Sequence, residues 1–382
     1  MPTTFSNTRR HISSPFLRLG TTVSKQNHKP SKGTIIIAVL FLVAFLKYVE
    51  IWGSPSVVLR SPPVSKKEGS FPDDHLGAIV FLAPQRNEGS IWGIDRFCFL
   101  LRAVRSVDQH LNSKFGPYPI HILVAKDFDK DPKGKDAAYT AQDRKLLQKW
   151  APHSTIIFVE IEMYSGSALE PGTSVELIQK WRQGFDGSVA GRDVGYQSMC
   201  RLWSGRLQNL SFLDNTTYYM RLDDDSLLTK DLDYDPFERI REEQLLYVYR
   251  RESMDLWGIQ QLWSIAKPHL DLQSEKELPF LGAGDNMYTG VQPYNNFHIT
   301  KVAFWRAEKW VSLWRDLNNE HAFFKYRVGD ANVHAIASIL MGKEMIAEWR
   351  EFPYVHNSND DPGWGKSAWK EECERDYKDW LQ

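Results

Sequence analysis

From residue 76 to residue 382, short apolar runs alternate with longer amphipathic segments. Residues 78–83, 120–125, 155–161, 218–222, 245–249 and 302–305 have the length and the β-branched or aromatic content of strands. Between them, residues 94–111, 144–150, 175–181, 256–266 and 331–340 space their apolar positions with a helical period. Elements that alternate in this way pack as an α/β sheet rather than as a bundle or a sandwich. Sheets of that class hold ligands beyond the carboxyl ends of their strands, so the residues just past each apolar run are where chemistry is sought.

The N-terminal pattern is different. The run 33–46 is apolar apart from Thr34, and it continues through Lys47, Tyr48, Val49, Glu50, Ile51 and Trp52. With a snorkelling lysine and two interfacial aromatics, residues 33–53 read as a transmembrane anchor. Residues 1–32 carry Arg9, Arg10, Arg18, Lys25, Lys29 and Lys32 and no acid. Such a tail cannot bury enough apolar surface to fold, and its charge orients it to the cytosol. A cleaved signal peptide is disfavoured, because Lys47-Tyr48-Val49 stands where small residues would mark the cut. Residues 54–75, rich in proline, read as a stem, leaving 76–382 as a lumenal domain. Two glycosylation acceptor patterns, Asn209-Leu210-Ser211 and Asn215-Thr216-Thr217, agree with that topology.

Composition narrows the function classes. The net charge of -1 removes any global attraction to nucleic acid, so none is expected as a partner. Cys98, Cys200 and Cys373 are too few and too scattered for a zinc site or a disulfide scaffold. In an oxidising lumen one pair can bridge, leaving a free thiol, and the sequence does not say which.

Two strand ends carry candidate chemistry. The run 78–83 leads into Pro84-Gln85-Arg86-Asn87, which puts Arg86 and Asn87 where a phosphate or a base can be held; a plain surface turn explains the same residues. The run 218–222 leads straight into Asp223-Asp224-Asp225. In extended chain Asp223 and Asp225 share a face and Asp224 takes the other. Two convergent carboxylates repel unless a cation sits between them, and hard oxygen ligands suit Mg2+ or Mn2+. Further on, Gly329-Asp330-Ala331-Asn332-Val333-His334 opens a helix with Asp330 suited to capping. His334, one turn later, reads either as a third metal ligand or as a packed core histidine.

These residues resemble glycosyltransferase family 15, the fungal Golgi α-1,2-mannosyltransferases, over roughly residues 77–357. The stretches that carry the resemblance are Tyr196-Gln197-Ser198-Met199-Cys200-Arg201 with Ser204-Gly205, then Tyr218 to Asp225, and Asp233-Tyr234-Asp235-Pro236-Phe237. Tyr294-Asn295-Asn296-Phe297-His298-Ile299 and Gly329 to His334 complete the set. The resemblance implies a GT-A nucleotide-sugar-binding fold, a mixed sheet flanked by helices, preceded by the transmembrane helix. It implies a type II Golgi membrane protein, GDP-mannose as donor, Mn2+ as cofactor, a mannosylated glycan or glycoprotein as acceptor, and retention of anomeric configuration. Asp223 takes the place of the Glu in the family's Glu-Pro-Asp motif as metal ligand, with Asp225 on the donor. His334 matches the family's His ligand, Arg221 an Arg that reaches phosphate, and Tyr196 a Tyr near the reacting sugar. One position departs: His298 stands where the family commonly has a Glu considered as nucleophile or acceptor-orienting base. A neutral imidazole there still accepts a hydrogen bond from an acceptor hydroxyl, but it cannot stabilise positive charge at the sugar.

Two rivals remain. A phosphohydrolase also uses Asp-x-Asp after a strand, but its second acidic pair is missing after an apolar strand, since Asp360-Asp361 follows Asn357-Ser358-Asn359. A non-catalytic nucleotide-sugar- or glycan-binding relative is favoured by His298.

Overall fold

In the computed structural model of the chain, the described residues are 75–83, 90–91, 94–127, 129, 139–183, 193–272, 280–281, 287–356, 371, 373 and 375. The expected tail, anchor and stem lie outside them, as do Arg86, Asn87 and the Asp360-Asp361 pair. Among the described residues no helix is long and apolar enough to cross a membrane.

Seven strands form one sheet: β1 (His75–Leu82), β2 (Ile120–Ala125), β3 (Ile156–Ile161), β4 (Thr216–Leu222), β5 (Tyr247–Tyr249), β6 (Phe297–Lys301) and β7 (Ile346–Glu348). Their spatial order is β7-β5-β6-β4-β1-β2-β3. Only β6 runs against its neighbours, β4 and β5; the other adjacent pairs are parallel. From Ala78 to Leu82 strand β1 is apolar without a break because both its faces are covered: Ala78 and Val80 enter one core, Ile79 and Phe81 the other. The helices sort the same way. One face carries α3 (Val175–Gln183), α4 (Val194–Arg201), α6 (Ile259–Ala266), α7 (Glu308–Asn319) and α8 (Asp330–Met341). The other carries α1 (Arg96–Val107), α2 (Ala141–Trp150) and α5 (Pro236–Glu242). A disulfide between Cys98 and Cys373 pins the C-terminal region to α1, and Cys200 is a buried free thiol.

An α/β sheet is what the alternating pattern predicts, and its mixed, helix-flanked form is what the family resemblance implies. Two details differ. Residues Val302–Trp305, expected as a strand, form one helical turn, and the strand is the segment just before them. A short apolar run carries no period that separates the two states. Here the Trp305 indole donates to Thr300 Oγ1 at 2.9 Å and folds the run back on the strand it follows. Asp330, expected to cap α8, is its first helical residue and makes no capping bond; Gly329 holds the cap position. The Asp330 carboxylate is used elsewhere.

Candidate metal centre

Along β4 the side chains alternate, so Tyr219 and Arg221 face the core that α8 covers, and Asp223 continues that parity just past the strand. The Asp223 N–H donates to the Asn296 carbonyl at 3.2 Å, prolonging the ladder by one residue. Ser226 N–H then donates back to the Asp223 carbonyl at 3.1 Å, closing a turn that returns Asp225 towards Asp223. After the turn, Ser226–Leu228 pairs antiparallel with Tyr354–His356, placing His356 opposite Ser226. One ligand atom each from Asp223, Asp225 and His356 thus lie within 4.8 Å of one another. His356 Nε2 is 3.1 Å from Asp225 Oδ1 and 3.8 Å from Asp223 Oδ2.

The supports of this cluster are specific. Arg221, with 4% of its side chain exposed, reaches Asp223 Oδ1 through Nε and Nη2 at 2.9 Å, and its Nη1 donates to Asp330 Oδ2 at 2.6 Å. Its guanidinium lies 4.4 Å from the centre of the Trp203 ring, and Asn295 Nδ2 donates to the same Asp330 oxygen at 3.0 Å. Burial raises the Asp223 carboxyl above its ordinary value, with Arg221 and His356 opposing. Burial pushes Asp330 the same way, but Arg221 outweighs it and holds that carboxyl low. Asp224 points away, as strand alternation predicts, and takes both Arg96 contacts at 3.1 and 3.2 Å. On the far side of the imidazole, His356 Nδ1 is 3.0 Å from the Tyr294 hydroxyl. A bond there fixes the ring and leaves Nε2 facing the carboxylates, the outer-shell arrangement common to histidine ligands. Two carboxylates and one imidazole make a donor set that fits a divalent ion such as Mn2+.

The family model described as glycolipid 2-alpha-mannosyltransferase matches residues 78–380. The chain belongs to glycosyltransferase family 15. Curated members of the family align at modest identity. Glycolipid 2-alpha-mannosyltransferase 1 of Candida albicans is 29% identical over 180 residues, 44% of this chain and 41% of that protein. Alpha-1,2 mannosyltransferase KTR1 of Saccharomyces cerevisiae is 27% identical over 275 residues, 67% and 64% of the two chains. These alignments span less than two thirds of the relatives' own length. Among solved structures, core-mannan synthase A of Aspergillus fumigatus in its Mn/GDP form superposes with a TM-score of 0.56 at 20% identity, covering 76% of each chain. The mannosyltransferase Ktr4p of S. cerevisiae in complex with GDP gives 0.57 at 18% identity, covering 74% of this chain and 71% of that one. At such identities the likeness is one of fold.

Within this family frame the predicted residues separate. Asp223 and Asp225 come together. His334 does not join them: it is fully buried, its Nε2 is 3.0 Å from the Trp203 carbonyl and its Nδ1 is 2.9 Å from the Tyr247 hydroxyl. A carbonyl only accepts, so Nε2 carries the proton and the Nδ1 lone pair takes the tyrosine hydroxyl, leaving nothing for a cation. The family-matched ligand role expected of His334 is therefore corrected, and His356 is the imidazole at the acidic turn. His298 is equally closed. Its Nδ1 faces the Asn295 carbonyl at 3.0 Å, its Nε2 faces the Tyr219 hydroxyl at 3.2 Å, and no part of it is exposed. It cannot accept from an acceptor hydroxyl, contrary to the expectation. Burial drives His334 down to about 4 and His298 well below the usual imidazole value, so both are neutral. Arg221, expected on a phosphate, is spent between Asp223 and Asp330. Tyr196 sits half-buried on α4, and the Cys200 thiol lies within side-chain hydrogen-bonding reach of both Tyr196 and Asp330.

Sequence reasoning missed His356, Arg96 and the anchoring role of Asp330. His356 had one signal, the short apolar run Phe352-Pro353-Tyr354-Val355 that ends in it. Nothing in the sequence pairs that run with residues 226–228.

Proposed function

We propose that this chain is a retaining α-1,2-mannosyltransferase that takes mannose from GDP-mannose, with Mn2+, and passes it to a mannose-containing glycan. The observation that carries the reading is the gathering of Asp223, Asp225 and His356 past the carboxyl end of β4, in a chain of glycosyltransferase family 15. The names of the relatives, and the Mn/GDP form of one structural neighbour, support donor and cofactor. The sheet order and the position of the acidic turn support the GT-A assignment.

Asp223, Asp225 and His356 would hold the ion. When bound, it supplies positive charge against the diphosphate as GDP departs. Arg221 fixes Asp223 by one oxygen, so that the other faces His356. With its Nδ1–H donated to the Tyr294 hydroxyl, His356 would present its Nε2 lone pair to the ion. Position 298 delivers no group to this turn, so no enzymic nucleophile comes from it. The acceptor hydroxyl attacks from the face that the diphosphate leaves, and the departing phosphate takes its proton. On the family resemblance, Tyr196 is assigned to the reacting sugar, and Arg86 and Asn87, outside the described residues, to the nucleotide. The same proposal anchors residues 33–53 in the Golgi membrane with the sheet in the lumen. A basic tail and a disulfide, a bond that persists in oxidising compartments, support it.

The test incubates the full chain in detergent with GDP-mannose, MnCl2 and mannosides. Transfer that EDTA abolishes and Mn2+ restores is expected. Neither transfer nor donor hydrolysis, with folding shown by circular dichroism, overturns it. The closed pockets of His298 favour one second reading, a relative that binds nucleotide sugar without turnover. Calorimetry showing Mn2+-dependent GDP binding, with no transfer to any acceptor, decides for that.

A further inference from the structure

Among the described residues, the large apolar side chains that stand exposed lie on or beside one two-stranded ribbon. Met254 is 64% exposed, Leu256 62%, Met287 50% and Trp257 41%. Strand Glu252–Met254 pairs with Val291–Pro293, setting Met254 opposite Val291, and Asp255 N–H donates to the Gly290 carbonyl at 3.1 Å. Leu256 and Trp257 follow directly, and Met287 precedes the partner strand. Water-facing apolar groups gathered in this way mark contact sites more often than scattered ones do.

The indole is held rather than loose. The Arg327 guanidinium lies over the ring, 4.7 Å from its centre, and the Trp257 backbone N–H donates to Asp255 Oδ1 at 3.0 Å, which fixes the main chain that carries it. Both flanks use left-handed backbone. Gly258 has φ 67°, and a Cβ there would stand 2.8 Å from the Tyr326 carbonyl oxygen. Arg327, which is not a glycine, has φ 57°. Non-glycine residues avoid that region unless the surroundings impose it, and such positions collect where ligands are held. The platform is linked to the metal centre through a short relay of neighbouring residues. Asp255 Oδ2 lies beside Gly329, 3.8 Å from where a Cβ would stand, and Gly329 precedes Asp330, the partner of Arg221.

We propose that Trp257, flanked by Met254, Leu256 and Met287, stacks against a sugar unit of an oligosaccharide acceptor one or more units away from the reacting hydroxyl. A pyranose offers an apolar C–H face ringed by hydroxyls. The indole, with the Arg327 guanidinium over one face, suits the former, and the polar groups of Asp255 and Arg327 beside it suit the latter. A protein partner would bury a wider apolar core than four side chains interleaved with charge. This inference rests on the sugar-transfer reading.

The experiment uses the full chain in detergent as wild type, Trp257→Ala and Trp257→Phe, with α-1,2-linked mannotriose and methyl α-mannoside as acceptors. Trp257→Ala is expected to lower the kcat/KM preference for the trisaccharide about tenfold, through KM, the scale of one lost stacking contact. Trp257→Phe restores most of it. An unaltered preference overturns the platform, as does an equal fall for both acceptors, which marks a structural role. Mn2+-dependent GDP binding is measured alongside. Its absence in the wild type defeats the sugar-transfer reading, and saturation-transfer NMR with mannotriose then decides the platform alone: a signal lost in Trp257→Ala supports it, no signal in the wild type overturns it. Self-association abolished by Trp257→Ala, with saccharide binding intact, assigns the patch to a second copy instead.

Discussion

His356 and His334 are both imidazoles far downstream of the acidic turn, and the fold gives them opposite chemistry. His334 is wholly enclosed beneath β5 and β6, donating to one carbonyl and accepting from one phenol. His356 is partly open, held at one nitrogen by Tyr294 and turned at the other to two carboxylates. A histidine is a ligand only where one lone pair is left unsatisfied by protein, so the partners of both nitrogens decide the role and the residue type does not. The same contrast divides Arg221 from the solvent-facing basic residues, because its charge is consumed in orienting carboxylates.

The contrast is broken most directly at the acidic turn. His356→Ala and Asp223→Ala are each expected to lower transfer roughly a thousandfold, beyond the 10–100-fold typical of outer-shell losses, with melting temperatures close to wild type. His334→Ala reverses the pattern: it unfolds the chain at lower denaturant and leaves two buried polar groups unpaired, while metal binding per folded molecule persists. Parallel Mn2+ titrations and urea melts of the three variants show which histidine belongs to which class.

Arg221→Met leaves the Asp223 and Asp330 carboxylates without their shared cation. Breaking a buried pair from one side costs about 3–5 kcal/mol, to be read from urea unfolding. A variant as stable as wild type would mean that Arg221 does not hold the turn.

His334 also sets a pH dependence. Its value falls from 6.5 unfolded to about 4 folded, so between those pH values the unfolded chain binds a proton that the folded chain refuses. Stability from this group is therefore full above pH 6.5 and is lost as the pH drops towards 4, by up to roughly 3 kcal/mol. His334→Gln should flatten that slope in melts compared at pH 7 and pH 5. An identical slope would place the proton elsewhere.

The smallest effect is expected at position 298. His298→Gln keeps one donor for the Asn295 carbonyl and one acceptor for the Tyr219 hydroxyl, so it should cost under about 1.5 kcal/mol and leave transfer within a few-fold of wild type. Loss of transfer with intact stability would restore a direct chemical role for His298.

Much of the fold was legible because strand identity rests on local pattern: β2 has the bounds that its apolar run predicts, and β1, β3 and β4 differ at their ends only. The run 302–305 was misread because four apolar residues carry no period, and β7 was missed because three residues, half-buried at the sheet's end, leave no pattern at all. At the site, Asp223 and Asp225 were legible since they stand two residues apart directly after one apolar strand.

By itself the sequence determined the alternating α/β architecture, the acidic turn with Asp223 and Asp225 on one side and Asp224 on the other, and the likeness to family 15. Those follow from backbone geometry acting over neighbouring residues. Only the tertiary structure decided which imidazole completes the turn, that Arg221 serves carboxylates, and that His298 is sealed in the core. Each depends on groups more than sixty residues apart meeting at a few ångströms, and hydrogen-bond saturation of that kind leaves no mark in local pattern.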